Sequence, residues 1–329
     1  MDTKQKVMKP LKAVVLAGGK KRLSAAPRSE WTKTDWFVAV MMWFFGFIAR
    51  LLGLGKKSDP TKLLPGEEVW GWDIQLANGE RCIDRVIRSL QESTNPVIDQ
   101  IVVAVAAPDE VPEGTFQGVH MVVQAGETLA GSILAAECLV LDDEDMVVFD
   151  CADLPLSDAK DLMEALQSLD LDSYDMFVSY ITEERSRKEF PDWPRTWGKF
   201  WDPVAKKSFR LCSGGIVVAR FKYIKRIAAQ IRQLEKDKKS VPALAGHFGL
   251  GILMRLVAGR CTMQELEKAF NRKFGIRCKG FEVAPGLGHD IDDAKRLRMT
   301  KKHDELRRQQ INCDPILIQS DVISLMRSD

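Results

Sequence analysis

Short apolar runs rich in β-branched residues alternate with amphipathic segments along this chain. That alternation limits the possible folds more than any other feature. The strand-like runs are Lys12–Leu16, Gln100–Ala106, Val119–Val123, Met146–Phe149, Met176–Ser179 and Gly215–Ala219. Between them, Arg81–Gln91, Gly131–Val140 and Asp158–Ser168 space their apolar residues as helices do. A βαβα order predicts an α/β fold with a mainly parallel twisted sheet and helices on both faces. Ligands of such sheets sit outside the carboxyl ends of the strands. Two of those ends carry suggestive chemistry: the first strand runs into Leu16-Ala17-Gly18-Gly19, and a middle strand into Asp150-Cys151-Ala152-Asp153.

Composition excludes several classes. Lys and Arg total 48 against 46 Asp and Glu, so the formal charge is only +2. A globally basic nucleic-acid coat is excluded, and no nucleic-acid partner is expected. The 7 cysteines are scattered and never form a C-x-x-C pair, which argues against a disulfide framework or a zinc cluster and favours a reducing cytoplasm. The apolar start of the chain is short and runs into a Gly pair, so it reads as a strand rather than a signal peptide.

Glycines expose backbone N–H groups, and the cations Lys20, Lys21 and Arg22 follow Gly18 and Gly19 directly. That combination suits a triphosphate; a strand-ending turn with solvated charges is the bland alternative. No G-x-x-x-x-G-K-[ST] or G-x-G-x-x-G follows the first strand. Asp150 and Asp153 close the run MVVF before Leu154-Pro155, where a carboxylate can hold Mg²⁺ against phosphate oxygens. A second acidic group, His289-Asp290-Ile291-Asp292-Asp293, follows a glycine-rich loop, and alternation sets Asp290 and Asp292 on one side of an extended chain. Helix capping or ion pairing is the competing use of these carboxylates.

The ordered series LAGGKKRL, TKLLP with NGERCIDRVIRSL, VVFDCADLPL and HDIDDAKRL resembles the molybdenum-cofactor-guanylyltransferase-like branch of the nucleotidyltransferases. The resemblance covers most of 11–299 and implies a GT-A-type α/β fold and an NTP transferase activity. It implies that Leu16, Ala17, Gly18, Gly19 and Lys20 hold the nucleotide, and that Arg22 and Lys62 neutralise its phosphates. By the same resemblance Asp153 and Asp292 bind Mg²⁺, with Asp290 the weaker candidate. Gln124 and Gly126 fall where such folds contact the base, and Ser213-Gly214-Gly215 either borders the acceptor or is a plain turn. The implied reaction transfers NMP from an NTP to a phosphorylated small-molecule or lipid-linked acceptor, releasing pyrophosphate. Two departures stand out. The family's lysine usually follows the glycine loop closely, whereas roughly forty residues intervene here, and its Thr-Pro-Glu-Asp continuation is replaced by Asp293-Ala294-Lys295-Arg296. A glycosyltransferase using a nucleotide sugar is the alternative enzyme class, because one fold hosts both chemistries. A non-catalytic nucleotide-binding protein at a membrane is the third possibility.

These readings divide the chain into a nucleotidyltransferase-like domain over 1–299 and a C-terminal tail over 300–329. The domain is interrupted by an apolar and basic insertion at 24–59 and a second apolar segment at 241–259. Within the insertion, Trp36–Ala49 holds no charge, and residues 1–62 carry thirteen Lys/Arg against four Asp/Glu. Basic flanks around an aromatic-rich apolar run predict an anionic membrane surface. Fourteen residues of helix span only ~21 Å of a ~30 Å hydrocarbon core, and extending to Leu54 includes Arg50. If Gly18 and Lys62 share one site, a single span is excluded. Peripheral attachment to the inner face of the cell membrane from the cytoplasm is the expectation, and burial of both apolar segments in an enlarged core is its rival. In liposome flotation, the intact chain is expected to rise with anionic vesicles. A chain with Trp36–Leu54 replaced by a Gly/Ser linker should stay behind; equal behaviour of the two refutes the anchor.

Overall fold

The computed structural model describes residues 8–18, 20–22, 68–125, 129–139, 141–193, 195, 197–237, 249–291 and 296–305. The insertion at 24–59 and residues 241–248 and 306–329 lie outside the described residues. The strands are β1 (Leu11–Gly18), β2 (Lys20–Arg22), β3 (Glu68–Trp70), β4 (Ile98–Val105), β5 (Met121–Gln124), β6 (Met146–Cys151), β7 (Met176–Thr182), β8 (Gly198–Asp202), β9 (Lys207–Arg220) and β10 (Cys278–Glu282). The main sheet runs β10-β7-β9-β6-β1-β4-β5, with β8 hairpinned onto β9. Its pairings are parallel apart from those of β9, which runs antiparallel to β6, β7 and β8. The α/β architecture matches the sequence expectation, with one reversed strand inside a mostly parallel sheet.

The apolar runs explain the layering. Successive strand residues point to opposite faces, yet Ala13, Val14 and Val15 are all fully buried. Both faces of β1 are therefore covered. The helices are α1 (Cys82–Gln91), α2 (Leu129–Ile133), α3 (Ala159–Gln167), α4 (Glu183–Glu189), α5 (Ile224–Asp237), α6 (Leu250–Val257) and α7 (Met263–Phe274). Helix α1 buries Ile83, Val86, Ile87 and Leu90, a 3–4 spacing that makes one apolar stripe. It packs on α3, β1 and β4, while α2 packs on α5 and β1. Asp158 starts α3 by accepting from the Lys160 and Asp161 N–H groups. Thr262 and Glu265 form a capping box at the start of α7, and Gly275 ends it at φ 60°.

Residues 296–305 are helical and cross the expected boundary at 299, with Thr300 and Asp304 buried. The described part of the second apolar segment divides its side chains. Leu256 is in the core, whereas Leu250 and Met254 are 62% and 59% exposed.

Ser213-Gly214-Gly215 lies inside β9 rather than in a turn. Its glycines admit a close approach of the 285–288 loop. A Cβ on Gly288 would stand 2.8 Å from Gly214 Cα, and one on Gly215 would stand 2.8 Å from the Leu287 carbonyl oxygen and collide with Leu154. The Gly215→Ala chain should therefore lose ~1–3 kcal/mol of stability through overpacking. Urea unfolding checks this; an unchanged midpoint would show that the loop gives way freely.

Candidate active site

The strand order sets where a ligand can enter. From β1 the chain steps outward to β4 and β5, then returns to place β6 on the other side of β1. The order reverses between β1 and β6, so the crevice opens at their carboxyl ends. Leu16 lies beside Cys151 in the register, and the Ala152 N–H donates to the Leu16 carbonyl at 3.2 Å. The fold thus joins Leu16, Ala17 and Gly18 to Asp150 and Asp153. Leu16 and Ala17 are buried and floor the crevice. Just beyond, Lys20–Arg22 forms a separate two-stranded ribbon with Glu68–Trp70, pairing Arg22 with Glu68. Gly19, Lys62, Gly126 and Asp292 lie outside the described residues.

The second acidic motif comes to the first through the backbone. The Ile291 N–H donates to the Asp153 carbonyl at 3.0 Å. Asp290, one residue earlier, is buried between two guanidinium groups, 3.3 Å from Arg195 and 3.1 Å from Arg296. Both arginines are themselves almost fully enclosed. A carboxylate held in this way is engaged as an anchor. His289 is also structural in its surroundings. Its Nε2 lies 3.0 Å from the Ser186 hydroxyl, and its ring stacks on Trp193 at 4.6 Å between centroids. Gln124 closes β5, where its side-chain amide nitrogen donates to the Ala106 and Ala125 carbonyls. Because both partners are acceptors, this orientation of the amide follows from the hydrogen bonds.

Asp150 is the most strained electrostatically. It is fully buried; its Oδ1 accepts the Cys151 N–H at 2.8 Å, and its Oδ2 has no hydrogen-bond partner among the described residues. Burial pushes its carboxyl up to about 8, with the nearby Asp153 charge adding to the effect. The group is therefore mainly neutral at pH 7. Among the described residues no group of three or more His, Cys, Asp or Glu side chains gathers around a single point.

Sequence reasoning does not find Arg85, Arg195 or Asp304. Arg85 pairs with Asp304 at 2.9 Å, across 219 positions of sequence, and its Nη1 also donates to the Pro155 carbonyl at 2.5 Å. No local motif marks such a contact. Its one trace in the sequence is a charged residue on a helix whose other face is apolar.

No family model and no curated protein matches the chain. Solved structures do. A hypothetical transferase from Thermus thermophilus aligns over 88% of this chain and 100% of its own, at 18% identity and a TM-score of 0.58. This likeness establishes a shared fold. A CMP:2-keto-3-deoxy-manno-octonic acid synthetase in complex with CTP aligns over 92% of this chain and 99% of its own, at 14% identity and a TM-score of 0.49. A 4-diphosphocytidyl-2C-methyl-D-erythritol synthase from Anaerococcus prevotii aligns over 90% and 99%, at 10% identity and a TM-score of 0.47.

The raised Asp150 carboxyl has a stability consequence. Between its unfolded value near 3.8 and about 8, the folded chain binds a proton that the unfolded chain releases. Stability contributed by the neutral carboxyl is complete below that window and is lost as pH rises through it. The stability of Asp150→Asn relative to the parent should therefore grow from pH 5 to pH 8 in metal-free buffer. Denaturant titrations at the two pH values measure it, and a constant difference would show that Asp150 stays ionised in the fold.

Proposed function

We propose that this chain is a Mg²⁺-dependent nucleotidyltransferase of GT-A-like fold, transferring NMP from an NTP to a phosphorylated acceptor and releasing pyrophosphate. The observation that carries the reading is the meeting of three elements at the β1–β6 crevice: the end of β1 at Ala17-Gly18, the Asp150–Asp153 strand end, and the 289–291 loop bonded to the Asp153 carbonyl. The family that the sequence motifs resemble and the "transferase" name of the Thermus thermophilus neighbour support the same reading.

In this reading the backbone N–H groups of the Gly18–Gly19 turn and the cations Lys20, Arg22 and Lys62 take the triphosphate. The acceptor phosphate attacks the α-phosphorus in line, so the protein positions and neutralises rather than forming a covalent intermediate. No general base is required if the acceptor arrives as a phosphate dianion, which agrees with a His289 already engaged by Ser186 and Trp193. Asp153 and Asp292 would hold Mg²⁺, which supplies charge neutralisation between phosphate oxygens. The residues fit that cation: carboxylates are its preferred ligands, and one or two suffice when substrate phosphates and water complete the shell. Just inside the same strand end, Asp150 keeps a buried oxygen with no hydrogen-bond partner among the described residues. Asp290, held by Arg195 and Arg296, serves in this reading to fix the loop that carries Asp292.

The same proposal extends to a peripheral position on an anionic membrane, from the cytoplasmic side, through the 24–59 insertion. No described helix is long and apolar enough to cross a membrane. Arg22 and Glu68 are paired neighbours, so the chain between them leaves and returns at one place. That supports a surface contact over a single crossing.

Pyrophosphate release, measured with each NTP in turn and with a panel of sugar, alcohol and polyprenyl phosphates, tests the activity. Release of nucleoside diphosphate from nucleotide sugars instead would identify a glycosyltransferase. Asp153→Asn should lower kcat by about 10²–10³ while leaving the circular dichroism spectrum intact, as losing one preorganised electrostatic contact does. Near-parental turnover at saturating Mg²⁺ would remove Asp153 from the metal site.

A further inference from the structure

Arg85 lies in the middle of α1 and is only 14% exposed. Its guanidinium reaches in three directions at once. It pairs with Glu80 at 3.1 Å, takes Asp304 through both nitrogens at 2.9 and 3.2 Å, and donates to the Pro155 carbonyl at 2.5 Å. Burial alone would lower its pKa, but Asp304 and Glu80 hold it above its ordinary value, so the cation persists. One turn further along α1, the Ser89 hydroxyl lies 3.0 Å from the Ser157 hydroxyl, and both side chains are buried. Helix α1 therefore grips the segment just after Asp153 at two points.

Followed outward from Arg85, the contacts close on themselves. Asp304 belongs to the helical residues 296–305, and Arg296 at the start of that stretch binds Asp290 at 3.1 Å. Next to Asp290, the Ile291 N–H returns to the Asp153 carbonyl. Pro155, Arg85, Asp304, Arg296, Asp290, Ile291 and Asp153 thus form a ring around the place where the two acidic motifs meet. A closed ring fixes a separation that either loop alone leaves adjustable.

We propose that Arg85 is a positioning residue: its fork between Asp304 and the Pro155 carbonyl sets the spacing of the Asp153 loop from the 289–291 loop. Its effect on metal and nucleotide binding rests on the nucleotidyl-transfer reading above. Groups that orient metal-binding carboxylates from behind typically contribute 10–100-fold to metal affinity. Removing the whole side chain would strand buried Asp304, so truncation to alanine risks the fold itself. Two gentler variants serve. Arg85→Lys keeps the charge but loses the planar fork that takes both Asp304 oxygens, and Asp304→Asn keeps the shape but removes one anchor.

The experiment has two readouts. Site-resolved hydrogen exchange follows the Ile291 amide, which reports the ring directly. Electron paramagnetic resonance follows Mn²⁺ binding in the presence of whichever of the four α,β-methylene NTPs raises the parental Tm most. Both variants should lose protection at Ile291 and bind Mn²⁺ about 10–100-fold more weakly, with metal-free analogue binding unchanged. Unchanged protection at Ile291 overturns the ring whatever the parent binds. Lost protection with parental Mn²⁺ affinity overturns the positioning role and leaves Arg85 a structural ion pair. If the parent binds no Mn²⁺ with any analogue, the nucleotidyl-transfer reading itself fails, and the positioning role fails with it.

Discussion

A strand buried on both faces can carry polar chemistry only at its ends. Ala13, Val14 and Val15 of β1 and Val147 and Val148 of β6 are sealed from water on either side, and the two strands are held in parallel register. Polar side chains inside that pair would lack partners and cost several kcal/mol each. Function is therefore displaced to the carboxyl ends, where Gly18 leaves one strand and Asp150 to Asp153 leaves the other. Asp150 marks the edge of what this arrangement tolerates. It is still inside the seal, and its carboxyl rises to about 8 as a result. Asp153, three residues on, is beyond the strand and only half-buried.

The same seal explains why the late loop must come so close. The crevice has a floor of Leu16 and Ala17, but its far wall is the 285–291 segment, which crosses β9 where Gly214 and Gly215 expose bare backbone. A Cβ on Gly215 would stand 2.8 Å from the Leu287 carbonyl oxygen, so the loop would have to shift. With glycine on both partners, Ile291 comes within hydrogen-bond distance of Asp153. Backbone contact of this kind is stiff, since neither partner has rotamers to adjust. Side-chain ion pairs then add the second constraint, from Arg296 on one side and Arg85 on the other.

Much of this is legible in the sequence, and the failures have physical causes. Strands β1, β4 and β6 and the helices α1 and α3 can be read nearly to their ends because their apolar periods are long, and Asp158 adds a local cap to α3, whereas only the last third or so of β9 is legible. Strands β8 and β10 escape such a reading. Gly198–Asp202 and Cys278–Glu282 each mix glycine and charge with aromatic residues, and their strand state comes from neighbours rather than from their own pattern. The two acidic motifs are recognisable singly because each is a short contiguous string. Their meeting, and the Arg85–Asp304 pair that braces it, depend on contacts between distant parts of the chain that carry no local mark. Ser213-Gly214-Gly215, read as the entry to a late strand or as a plain turn, lies within β9, where its glycines let another backbone pack close.

The ribbon of Lys20–Arg22 with Glu68–Trp70 links the chemistry of the crevice to the unusual insertion. It begins two residues after Gly18, so the chain enters and leaves the 23–67 segment beside the proposed triphosphate site. Lys62 precedes Glu68 by six residues, and six residues of extended chain reach at most about 20 Å. The displacement of the family's lysine by some forty residues of sequence therefore does not by itself take it out of reach of the site. The pairing of Arg22 with Glu68 also fixes the topology. A segment whose two ends are hydrogen-bonded neighbours can touch a bilayer, enter it and return, but cannot cross it an odd number of times.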